Sequence, residues 1–206
     1  MQVHAHAISS AHHEATSQPA TWKRVAARWM PTFLGFPIGG YAAYLISGPV
    51  DGLAAALIGG AITGAIVGAA QAWGLRLRGA AARHWIGATA AALMVGLAVG
   101  AAVVGYHTDF IDLVVQGAIT GLAVGAAQGV VLRKRLGRLA WAWPPVLSAL
   151  FAIGWVVTTG WGIDVDEQFT IFGASGALVV TAATTVLPVL LGGRRQDRAD
   201  SQAAGG

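Results

Sequence analysis

GAITGAIVGAAQ at residues 60–71 and GAITGLAVGAAQ at residues 117–128 agree at ten of twelve positions across an offset of 57 residues. Chance does not supply such a match, so the chain contains an internal duplication, and repeats decide architecture before single residues do. The identity runs on to Leu75-Arg76 and Leu132-Arg133, and upstream Arg28-Trp29 corresponds to Arg83-His84-Trp85. At an offset of 56, Gly173-Ala174 and Ala182-Ala183-Thr184 preserve an eroded third copy, in which Thr184 replaces the amide. Each copy holds two apolar segments, which predicts three tandem helical hairpins.

The segments around these motifs are long and nearly uncharged. Nearly uncharged stretches fall at residues 29–46, 52–75, 85–105, 111–132, 141–161 and 170–191, with Asp112 at the edge of the fourth. Each is about 20 residues, the length a helix rising ~1.5 Å per residue needs to cross a ~30 Å hydrocarbon core. Composition agrees, with 55% hydrophobic and only 11% charged residues, where a soluble domain carries about a quarter charged.

All thirteen Lys and Arg residues fall in four places: Lys23, Arg24, Arg28; Arg76, Arg78, Arg83; Arg133, Lys134, Arg135, Arg138; and Arg194, Arg195, Arg198. They alternate with Asp51, with Asp109 and Asp112, and with Asp164, Asp166 and Glu167. Cytoplasmic loops retain Lys and Arg, so the alternation predicts six crossings with both termini in the cytoplasm and the acidic turns outside. The net charge of +4 is spread over short loops, which predicts contact with anionic lipid at the cytoplasmic face and not nucleic-acid binding. Trp29, Trp73, Trp85, Trp141, Trp143 and Trp161 lie near segment ends as an aromatic belt would; Trp155 does not.

The expected fold is therefore an all-α integral membrane bundle of six helices, built from three two-helix hairpins at about 29–78, 83–135 and 138–191. Hairpins inserted in one orientation place their pseudo-threefold axis along the membrane normal. Residues 1–28 read as a polar tail ending in a basic interfacial segment, without a cleavable signal, and residues 192–206 as a disordered cytoplasmic tail. Pro37 is expected to kink the first span, while Pro144 and Pro145 fall in the first turn of the fifth.

Two sets of residues stand out. Gly60, Gly64 and Gly68, and likewise Gly117, Gly121, Gly125 and Gly129, recur every four residues and form a smooth stripe on one helix face, which suits close helix packing in lipid. Gln71 and Gln128 follow the stripes by three residues, at equivalent positions. Their amides either bridge helices or, together with Thr63 and Thr120 about two turns deeper, line a ligand or permeation path. Catalysis is disfavoured by what the spans lack: an intramembrane acid, a zinc-binding motif, or a nucleophile beside a histidine. There are no cysteines. His84 and His107 sit at opposite ends of one span and cannot share a metal or haem; His4, His6, His12 and His13 lie in a tail without fixed support for a metal site. An enzymatic role for His84 beside the interfacial arginines is the weakest reading, and no cofactor or metal is expected. A broken helix at mid-depth, common in ion-coupled carriers, is not evident.

The repeated GAxxGxxxGxxQxxxLR hairpin resembles glycine-rich multi-spanning bacterial membrane proteins of uncharacterised function. The resemblance covers spans two to five and implies a location in the bacterial inner membrane. It supplies no activity. The leading expectation is a non-enzymatic accessory or scaffold that packs against itself, as a homo-oligomer, or within a larger membrane complex. The alternative is a small channel or facilitator for neutral solutes or ions.

Overall fold

The structure, a computed structural model, describes residues 22–162 and 169–191, and every regular element among them is helical. Residues 22–29 are helical and lead into a 3-10 segment, Met30–Leu34. Then follow α1 (Gly35–Ser47), α2 (Leu53–Gly74), α3 (Gly79–Val103), α4 (Phe110–Leu136), α5 (Trp143–Gly160) and α6 (Ala174–Thr184). After a turn at Thr185, helix continues to residue 191. A second 3-10 segment, Gly137–Ala142, joins α4 to α5. The basic loop of residues 192–206, the acidic residues Asp164, Asp166 and Glu167, and the tail histidines lie outside the described residues.

Four helical stretches among the described residues are long and apolar enough to cross a membrane: Leu53–Gly74, Gly79–Val103, Phe110–Gly160 and Ala174–Leu191. The chain is thus an all-helical, multi-pass membrane protein, but this count falls short of six independent spans. Two local causes account for the difference. In the first span, Pro31 is the second residue of the 3-10 segment and Pro37 lies three residues past its end, and a proline offers no N–H to the carbonyl four residues back. The α-helical part shrinks to 13 residues, with Pro37 in its first turn rather than kinking its middle. In the second half, the link between α4 and α5 is itself a 3-10 turn, so one helical stretch of 51 residues covers two expected spans. Gly137, at φ 59°, supplies the left-handed residue that ends α4.

Each helix packs on the next in sequence, and the series closes where α6 meets the Met30–Leu34 segment and α1. Apolar side chains cover the outside of every helix, among them Ile38, Leu45, Ile58, Val99, Leu122 and Val156. Hydrocarbon is the solvent such a surface requires. Inside, Phe36 stacks on Phe172 with ring centroids 5.3 Å apart, and Phe151 and Trp155 meet Phe172 edge-on at 5.2 and 6.2 Å. Trp155, the tryptophan outside the belt, therefore belongs to the core.

The last span departs from a simple helix. Expected from Thr170, its helix begins at Ala174, and residues 169–173 are non-helical although Thr170, Ile171 and Phe172 are buried. Thr170 Oγ1 lies 2.7 Å from Thr63 Oγ1, and Thr63 is the eleventh of the 22 residues of α2, about 15 Å from its start. The last span thus starts four residues later than the sequence predicts, after a buried non-helical lead-in. The Gly173 N–H donates to the Thr158 hydroxyl at 3.0 Å, and Phe172 anchors the segment in the aromatic cluster.

Candidate functional site

The glycine stripes set the spacing of the helices that carry the polar cluster. A Cβ on Gly64 would sit 2.7 Å from Ala90 Cα, and one on Gly60 would sit 2.8 Å from both Leu93 O and Met94 Cα, so the α2 stripe lies against the backbone of α3. In α4, a Cβ on Gly125 would sit 2.6 Å from Pro144 Cα and one on Gly117 2.9 Å from Phe151 O. Gly121 faces the Leu147 carbonyl, and Gly68 meets Ile86 and Thr89. The stripes thus face the neighbouring helix and not an open axis. At such separations backbones gain van der Waals contact that any side chain would abolish.

Close approach brings the ends of these helices together around two amides. Gln71 Oε1 accepts from Trp85 Nε1 at 3.2 Å and from Gln128 Nε2 at 3.0 Å. Gln128 Nε2 also donates to Thr89 Oγ1 at 3.1 Å, and Gln128 Oε1 accepts from Trp143 Nε1 at 2.9 Å. Gln128 is 1% exposed, so its carbonyl and both amide hydrogens are engaged without water. Both lone pairs of Gln71 Oε1 are taken as well; its half-buried amide nitrogen is the remaining donor of the pair. The cluster links α2, α3, α4 and α5 through neutral groups that exchange no proton near neutral pH.

A third indole completes the pattern. Trp29 Nε1 donates to Thr181 O at 3.0 Å and to Thr184 Oγ1 at 3.2 Å, while the Thr184 hydroxyl is placed to donate to Val180 O at 2.9 Å. Trp29 precedes the first helix of its repeat, Trp143 opens that of the third, and Trp85 lies in the second turn of α3. Each reaches the residue at the Gln71, Gln128 or Thr184 position of a neighbouring repeat.

Thr63 and Thr120 do not join the amides. Eight residues separate each from its glutamine, about 12 Å along the helix. Thr63 is fully buried and donates to Gly39 O at 3.2 Å or to Thr170, whereas Thr120 bonds back to Gln116 O of its own helix at 2.8 Å. The space among Gln71, Gln128, Val67, Leu93, Val124 and Phe151 measures about 10 Å³, which is about the volume one water requires. His84 is exposed on α3. No group of three His, Asp or Glu side chains comes together among the described residues.

Sequence reasoning missed Thr89 and the donor role of the three tryptophans. Their spacing of 56 and 58 residues carried the signal, but a tryptophan at a span end satisfies the aromatic-belt reading equally well. Thr89 lacks a counterpart in the repeated motif and is placed only by the packing of α3 on α2.

No family model matches this sequence, and no curated protein or solved structure matches it either. The functional reading therefore rests on the geometry of this multi-pass helical membrane protein alone.

Proposed function

We propose that this chain is a non-enzymatic scaffold or accessory protein of the bacterial inner membrane, with six crossings and both termini in the cytoplasm. In this reading three hairpins form a pseudo-threefold ring, counting the 3-10 and α-helical parts of the first span as one crossing. The cyclic pattern supports the ring: Trp85 reaches back to Gln71, Trp143 to Gln128, and Trp29 across the closure to Thr184. The basic loops hold anionic headgroups at the cytoplasmic face. The apolar outer faces are available to a second copy or another membrane complex.

One observation carries the choice of scaffold over conduit. The amides that would line a path are consumed in hydrogen bonds between helices, and the space beside them is closed to about 10 Å³. A permeant group would have to break at least one of these bonds to pass between the amides.

Reconstitution into liposomes tests this reading. Fluxes of small neutral solutes and of monovalent ions are expected to stay at the protein-free level, while the protein migrates as a defined oligomer or complex in mild detergent. Flux above background that disappears when Gln71→Leu and Gln128→Leu are combined would establish the conduit instead.

A further inference from the structure

Two of the even-numbered helices meet the following helix through glycine, and the third does not. Where α4 places Gly121, Gly125 and Gln128, the offset of 56 puts Ala177, Thr181 and Thr184 in α6. All three are buried, so their side chains hold the neighbouring chain away. At this seam α6 contacts mainly the Met30–Leu34 segment and only sparsely α1. The late start of α6 removes further helical turns from the same place.

A cavity of about 200 Å³ opens beside this seam, between α1, α5 and the non-helical residues that precede α6. Phe36 and Tyr41 of α1, Trp155 of α5, and Ile171 and Phe172 of the non-helical segment form its walls. The Thr158 hydroxyl on the lining is engaged already, placed to donate to Gly154 O at 2.8 Å and accepting the Gly173 N–H at 3.0 Å. Apart from the Tyr41 hydroxyl at the mouth, a hydrated or charged ligand would find no free side-chain partner there and would lose its water with little compensation. The volume exceeds the ~150 Å³ of an apolar cavity able to hold benzene. Thr170, next to Ile171 on the same segment, bonds the middle of α2, which sets the cavity at hydrocarbon depth rather than among headgroups. Tyr41 at the mouth is 61% exposed, and Ile38 and Leu45 beside it are exposed on the same helix. Non-helical backbone at this depth is tolerated where it is buried or lines a cavity, and residues 169–173 do both.

We propose that this cavity binds one acyl chain of a bilayer phospholipid, admitted sideways between α1 and residues 169–173 and ending against Phe172. This inference rests on the membrane location and stands apart from the choice between scaffold and conduit.

Photo-crosslinking of the full chain tests it. The protein is placed in nanodiscs of phosphatidylethanolamine and phosphatidylglycerol containing a trace of phosphatidylethanolamine with a diazirine in one acyl chain. Adducts are mapped by mass spectrometry. Trp155 and Phe172 are buried and out of reach of lipid on the outer surface, whereas Val99 on α3 is exposed to it. Expected are adducts on Trp155 and Phe172 that disappear in Gly40→Leu, whose side chain enters the cavity from α1, while adducts on Val99 persist. Should Gly40→Leu fail to fold, Tyr41→Trp narrows the mouth from an exposed position and is expected to lower the same adducts. Adducts confined to exposed residues would overturn the proposal, as would Trp155 adducts that neither variant changes. Excess unlabelled free fatty acid distinguishes the two sources of such a chain: Trp155 labelling that survives supports phospholipid, and labelling that is abolished overturns it.

Discussion

Gln128 donates from its side-chain nitrogen to Gln71 Oε1 across 3.0 Å, joining the same position of two sequence repeats. The two residues are not equivalent in the bundle despite that origin. Gln128 is enclosed and fully engaged, whereas Gln71 is half-buried and keeps its amide nitrogen toward the edge of the cluster. A duplicated residue has thus taken two roles, the donor at the centre and the acceptor beside it.

Gln128→Leu is expected to be the more damaging of the two substitutions. It leaves the Trp143 indole N–H without its acceptor, at a cost of about 1–3 kcal/mol. Gln71→Leu also orphans Trp85 but leaves Gln128 bonded to Thr89 and Trp143, and is expected to cost less. Reversible unfolding in mixed micelles measures both. The double variant should be less destabilised than the sum of the single ones, since the shared bond is lost once. Strict additivity would mean that the amides do not communicate.

The glycines divide by what faces them. Gly121→Ala drives a methyl group against the Leu147 carbonyl on α5 and is expected to destabilise by about 1–3 kcal/mol, the usual range for overpacking. Gly87 lies in α3 with nothing within 4 Å of its Cβ direction, so Gly87→Ala is expected to stabilise by up to about 1 kcal/mol through helix propensity alone. Melting temperatures in detergent, read side by side, separate a packing role from a general intolerance of substitution. Equal effects at the two positions would contradict the assignment of the stripe to helix contact.

Much of this architecture is written in one dimension, because apolar length and charge placement answer to the bilayer and not to tertiary contacts. Helix positions and the duplicated GAITG motif belong to that class. The non-helical segment at residues 169–173 does not. FTIFG at residues 169–173 contains no proline or charge; the aromatic cluster on Phe172 and the bonds from Thr158 and Thr63 hold it out of helix. The polar cluster was half legible. Gln71 and Gln128 stood out as amides in an uncharged face, while their partners Trp85, Trp143 and Thr89 carry residue types that membrane helices use for other reasons. Thr63 and Thr120 share a motif position yet bond differently, because Thr170 faces only the first of them.

Threonine-to-valine substitutions test that division at constant shape. Thr89→Val removes an acceptor from the buried Gln128 amide and leaves one of its hydrogens unpaired, which is expected to cost about 1–3 kcal/mol. Thr120→Val removes a hydroxyl whose partner, the Gln116 carbonyl, lies within its own helix, and is expected to cost well under the Thr89 value. Denaturant midpoints at matched detergent concentration give the comparison. A larger loss at Thr120 would place the important polar contact elsewhere.

Orientation can be read from single cysteines because the chain contains none of its own. His107, 73% exposed at the turn between α3 and α4, is expected outside, and Arg78, in the turn between α2 and α3, inside. In intact cells a membrane-impermeant maleimide should label His107→Cys, and should label Arg78→Cys only after the membrane is opened. In the proposed topology the positive charges of Arg76, Arg78 and Arg83 keep this turn in the cytoplasm, so replacing all three with glutamine should weaken the distinction. Labelling of Arg78→Cys from outside, with His107→Cys protected, would invert the topology and move the polar cluster of Gln71 and Gln128 to the external side.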